Sequence, residues 1–131
     1  DDDNHPETQG QQTKYLSQEE QKIIDACGER LMLFRLRGPM SFGAARGINS
    51  RVAEIHNYEA LVLDISDVPR MGITAALAVE RMIKEAESQG RIAVVAGANQ
   101  QLIKRLKQFG ISNVTAERIK ALEYVRSNLR R

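Results

Sequence analysis

Two short runs, Ala60–Ile65 (ALVLDI) and Arg91–Ala96 (RIAVVA), are apolar almost without interruption. Runs of this kind suit strands covered on both faces, as in a sheet that is at least partly parallel. Parallel neighbours need a crossover, and the intervening residues supply one. From Ile73 to Ser88, Ala75, Ala78, Val79, Met82 and Ala86 recur with helical period, and Glu80–Lys84 and Arg81–Glu85 are outward pairs four residues apart. Gly90 closes this helix. Strand, helix and strand in this order point to an α/β domain.

The flanking segments extend the pattern. Ser17-Gln18-Glu19-Glu20 matches a capping box, which predicts a helix to about Ala26 stopped by Gly28. Leu31–Arg37 reads as a strand with Met32, Phe34 and Leu36 on one face and Arg35 and Arg37 on the other, ended by Gly38-Pro39. Ala45, Ile48, Val52 and Ile55 form a helical stripe. Asn99 is placed to cap a helix carrying Leu102, Ile103, Leu106 and Phe109, stopped by Gly110. Thr115 is the expected cap of a last helix with Ile119, Leu122, Val125 and Leu129.

Composition narrows the function. At 131 residues, 42% hydrophobic and 27% charged, the chain fits one domain able to bury a core without staples. No stretch approaches the roughly 20 apolar residues of a membrane span, and Asp1-Asp2-Asp3-Asn4-His5-Pro6 has no signal-peptide character. Residues 1–12 read as a disordered tail or linker and residues 13–131 as the domain. Cys27 is the only cysteine, with apolar neighbours, so a buried thiol and no disulfide are expected. Without a Cys or His cluster, a zinc or copper site is not expected. Lys104, Arg105, Lys107, Arg118, Lys120, Arg126, Arg130 and Arg131 make the last third basic. They read as solvated helix faces, and with no aromatics interleaved they do not predict a nucleic-acid partner.

The segment most informative for function is Asp64-Ile65-Ser66-Asp67-Val68-Pro69-Arg70-Met71-Gly72-Ile73-Thr74, where a strand ends and the long helix begins. In α/β sheets ligands gather at such carboxyl ends. Free N–H groups opening the helix could bind an anion, or the turn could hold a switch. The plainer reading is a tight connection in which Asp64 and Ser66 satisfy backbone groups. Asp64, Ser66, Asp67, Arg70, Met71, Gly72, Ile73 and Thr74 are the docking or switch candidates. No G-x-S-x-G elbow, G-x-x-x-x-G-K-[ST] loop or G-x-G-x-x-G fingerprint is written, so neither catalysis nor a cofactor is expected.

Two stretches carry a family resemblance. Leu33–Ala45, with its GP-x-x-FGAA pattern, and Ala60–Pro69, with LDxSxVP, resemble the opening strand and the strand–turn of the STAS domain of SulP anion transporters. The run from Val68 to Ala75 looks most like cyanobacterial bicarbonate transporters of the BicA type, with sulfate transport the rival. The resemblance implies a STAS fold, with a central mixed sheet of about four to five strands and about four to five helices. It implies a cytoplasmic C-terminal module on the inner membrane, partnering its own membrane domain and a second copy, with a regulatory protein or nucleotide as a further partner. Related anti-sigma-factor antagonists carry Asp-Ser-Ser/Thr-Gly where this chain has Gly72-Ile73-Thr74-Ala75. Ile73 offers no hydroxyl at the phosphorylated position, so no phospho-switch is expected. The rival readings are a free-standing antagonist and a nucleotide sensor.

Overall fold

Alternation along the strands sorts the core into two layers. A computed structural model of the chain describes residues 15–37, 47 and 57–129. The expected tail, the Gly38–Ala45 signature and the stripe of Ala45, Ile48, Val52 and Ile55 lie outside the described residues. Within them run α1 (Gln18–Cys27), a single 3-10 turn (Gly28–Arg30), β1 (Leu31–Arg37), β2 (Ala60–Asp67), α2 (Ile73–Ser88), β3 (Ile92–Ala96), α3 (Gln100–Gln108) and α4 (Arg118–Asn128).

The strands form one sheet in the order β1-β2-β3, with both pairings parallel. Leu31 lies opposite Ala60 and Ala60 opposite Ile92, so β2 is central. Leu61, Leu63 and Ile65 of β2 join Phe34, Leu36, Ala93 and Val95 on one face, covered by Val79, Met82 and Ile83 of α2 and Leu102 and Leu106 of α3. Ala60 and Val62 join Leu31, Leu33, Val94 and Ala96 on the other, covered by Ile23, Ile24 and Cys27 of α1 and Ala121, Leu122 and Val125 of α4. The result is a helix–sheet–helix sandwich whose apolar burial supplies the main driving force.

Several expectations are met in detail. Ser17 Oγ accepts from Glu20 N at 3.1 Å and Glu20 Oε1 accepts from Ser17 N at 2.9 Å, closing the capping box. Asn99 Oδ1 accepts from Leu102 N at 2.9 Å and caps α3. The long helix spans Ile73–Ser88 as read from its stripe.

Others need correction. Among the described residues the sheet has three strands, fewer than the four or five expected, and both pairings there are parallel. A further strand beside β3 is reduced to one parallel bridge, Val95 to Val114, because the chain leaves the edge directly after Thr115. The face of β1 opposite Met32, Phe34 and Leu36 is apolar at its start, where Leu31 and Leu33 are buried against α1 and α4. Glu117, not Thr115, caps α4, and the Thr115 hydroxyl instead donates to the Glu117 carbonyl at 2.8 Å. On α2, Glu85 accepts from Gln89 at 3.1 Å rather than pairing with Arg81.

Candidate functional site

β2 keeps its alternation through the one acid inside its apolar run, and that places Asp64 on the α1–α4 side of the sheet, beyond Ala60 and Val62, with no solvent exposure. A carboxylate in such a place must be paired and hydrogen-bonded. Its Oδ1 accepts from Ser66 N at 3.0 Å and from Ser66 Oγ at 2.6 Å. Its Oδ2 accepts from Arg118 Nη1 at 3.2 Å. Arg118 grips Glu20 with the rest of its fork: Nε donates to Oε2 and Nη2 to Oε1, both at 3.1 Å. Nη2 also donates to the Tyr15 carbonyl at 3.3 Å, and the Tyr15 ring meets two guanidinium groups, Arg35 at 4.0 Å and Arg118 at 4.9 Å from its centroid. Burial acts to lower the Arg118 pKa, but the hydrogen bonds and charges of Glu20 and Asp64 outweigh it, so the guanidinium is held protonated more firmly than usual.

This arrangement is a clamp. One guanidinium ties the start of α4 to the first turn of α1 and the end of β2, and two carboxylates meet one cation. Asp64 therefore presents no surface to a partner, and three donors, one of them the Arg118 cation, already engage its carboxylate. Ser66 is committed to the same carboxylate. Gly97 is required beside it: with φ +78, its missing Cβ would overlap Ser66 Oγ and lie 3.1 Å from Ser66 Cα. No cluster suited to a metal ion occurs among the described residues.

The remaining candidates divide. Asp67 pairs with Arg35 at 2.9 Å, beside the register shift that β1 makes between Arg35 and Arg37. Met71 is in the core, only 4% exposed, which corrects its expected place on a docking edge. Gly72 caps α2 without a side-chain hydrogen bond. Arg70 and Thr74 are exposed, and Ile73 is 58% exposed. One turn further along α2, Leu77 is 42% exposed and extends the apolar patch that Ile73 begins. The structure thus splits the predicted segment into a buried half around Asp64 and an outward half around Ile73.

Sequence reasoning missed Arg118, which it read as one solvated cation among many, and the second task of Glu20. The available signal was Asp64 itself: an acid inside an apolar run demands a cation, though not a particular one.

Comparison with known proteins places this geometry. The family model described as the STAS domain matches residues 21–123. The bicarbonate transporter BicA of a Synechocystis strain is 39% identical over 102 residues, covering 78% of this chain and 18% of the transporter. The bicarbonate transporter BicA of a Picosynechococcus strain is 40% identical over 93 residues, covering 71% of this chain and 16% of the transporter. The solved STAS domain of a SulP transporter from Vibrio cholerae superposes with a TM-score of 0.70 at 25% identity, covering 85% of this chain and 96% of that one. The chain spans less than a fifth of the length of either bicarbonate transporter. No helix among the described residues is long and apolar enough to cross a membrane. With the family match covering most of its length and the sheet, helices and strand-end turn in place, the chain belongs to the STAS domain family.

Proposed function

We propose that this chain is the regulatory and docking module of a SulP-type anion transporter, held at the cytoplasmic face of the inner membrane, with bicarbonate rather than sulfate as the transported anion. The observation that carries the reading is the 39% identity over 102 residues to a bicarbonate transporter of which the match forms only 18%. Residues 13–131 are the module and residues 1–12 the linker into it. It works by contact, without a catalytic step. Arg70, Ile73 and Thr74, with Leu77 in place of the buried Met71, form the docking edge toward the membrane domain. An exposed Ile–Leu pair at the start of a long helix is the kind of apolar feature that marks a partner contact. The free-standing phospho-regulated alternative is disfavoured by Ile73, which supplies hydrocarbon where that chemistry needs a hydroxyl. Two copies pair as a homodimer, which sedimentation of the isolated module at rising concentration tests.

The deciding experiment uses the full-length transporter in a host lacking bicarbonate uptake. Ile73→Asp should reach the membrane at normal levels and take up bicarbonate several-fold more slowly. Unchanged uptake with unchanged association would overturn the docking edge. Uptake of sulfate without bicarbonate would overturn the substrate.

A further inference from the structure

The basic residues of the last third do not share one environment. Arg118 and Lys120 pair with carboxylates, as do Arg30 and Arg35 earlier in the chain. Arg70, Lys104 and Arg105 do not: within the described residues none of the three side chains makes an ion pair or a hydrogen bond. Yet they converge. Arg70, from the loop between β2 and α2, and Lys104 and Arg105 of α3 line one open cavity of about 400 Å³ together with Gln101 and Gln108, over a floor of Met71 and Leu102. No carboxylate lines it among the described residues. Arg105 is moreover half-buried, a costly place for a guanidinium with no counter-charge.

The cavity is held in shape by Asn99. While its Oδ1 caps α3 through Leu102 N at 2.9 Å, its Nδ2 donates to the Pro69 carbonyl at 3.0 Å. One side chain therefore fixes the loop that carries Arg70 against the helix that carries the other two cations. Nothing on α3 relieves the repulsion, because Gln100–Gln108 contains no acid.

We propose that this cavity is a binding site for a phosphate group. Guanidinium forks match phosphate oxygens bidentately, the ammonium adds a point charge, and the glutamine amides can supply neutral donors. Three unneutralised cations favour a dianion over a single carboxylate. An open hollow at the small end of the ligand-site range suits a compact anion, whereas an extended acidic segment would need a longer groove or a sheet edge. The same chemistry is offered by a phosphate free in solution and by a phosphomonoester lipid headgroup. The site stands whichever anion the transporter carries.

Titration of the isotope-labelled chain with inorganic phosphate at constant ionic strength, followed by NMR, tests the first source. Sedimentation with phosphatidylcholine vesicles, with and without phosphatidic acid, tests the second. Saturable shifts centred on Arg70, Gln101, Lys104 and Arg105 assign the ligand to solution; binding to phosphatidic acid vesicles alone assigns it to a headgroup. In either arm Arg105→Ala should weaken binding about tenfold, the scale of a lost charge-assisted contact. Arg70→Glu and Lys104→Glu, both at exposed positions, should abolish binding with the fold's spectrum unchanged, and Lys107→Ala should leave binding nearly intact. Binding in neither arm, or binding that survives Arg70→Glu and Lys104→Glu, would overturn the site.

Discussion

Truncating Arg118 to alanine removes five hydrogen bonds at once, to Glu20 twice, Asp64, Ser66 and the Tyr15 carbonyl. It leaves two carboxylates whose side chains are 8% and 0% exposed without their cation. Removing one partner from a buried ion pair costs about 3–5 kcal/mol. Two features place this case at the low end. The Arg118 side chain is itself 18% exposed, so water can enter behind it, and Asp64 keeps its two donors from Ser66. A loss of about 3 kcal/mol is a large share of the roughly 5–15 kcal/mol that holds a domain together. At about 3 °C per kcal/mol for a domain of this size, the melting midpoint should fall by roughly 10 °C.

Urea unfolding followed by far-ultraviolet circular dichroism suits a protein without tryptophan. The internal control is Lys120→Ala, which breaks an exposed 3.8 Å pair with Glu123 and should cost no more than about 0.5 kcal/mol. Adding Glu20→Gln and Asp64→Asn to Arg118→Met should recover much of the loss, because the penalty lies in the orphaned charges more than in the missing contacts. A loss below about 1 kcal/mol for Arg118→Ala, or one equal to the Lys120 control, would refute the buried clamp.

Gly97→Ala should destabilise by at least about 2 kcal/mol, from left-handed backbone strain plus overlap with Ser66, and adding Ser66→Ala should recover only part, because Ser66 Cα stays at 3.1 Å; equal stability in urea unfolding would refute it. Asn99→Ala should cost about 1 kcal/mol for the lost cap and loosen the Pro69 contact, read as faster amide exchange around Arg70. Burial pushes the Cys27 thiol above its ordinary value, against the opposing charges of Arg126 and Arg30, and burial likewise raises Tyr58 against Arg91. The folded chain then keeps protons that the unfolded chain releases, so stability is unaffected by these groups below the ordinary thiol range and falls as pH rises through it and beyond. Native Cys27, 3% exposed, should therefore resist alkylation near neutral pH until urea opens the fold, and rapid labelling of the folded protein would contradict this. Mass spectrometry of the protein from its own cells should find no phosphate on Thr74, the hydroxyl nearest the family's switch position.

What the sequence determined by itself was whatever depends on neighbours along the chain. The capping box at Ser17 and Glu20, the Asn99 cap and the stripe of α2 all involve residues three or four apart, and local geometry fixes them once a helix forms. The unbroken runs gave the parallel layering, because only strands covered on both faces tolerate them. Tertiary structure decided which charges are surface and which are structure. Arg118 and Lys120 sit two residues apart in one basic stretch, but only Arg118 faces the end of β2, where partners 54 and 98 residues away complete its fork. The same holds for Met71 and Ile73: both are apolar residues of one loop-to-helix turn, yet one joins the core and the other is left in solvent. Met71 is buried because it packs against the layer that α2 and α3 lay over the sheet, a layer assembled from residues far apart along the chain rather than from any run of adjacent ones.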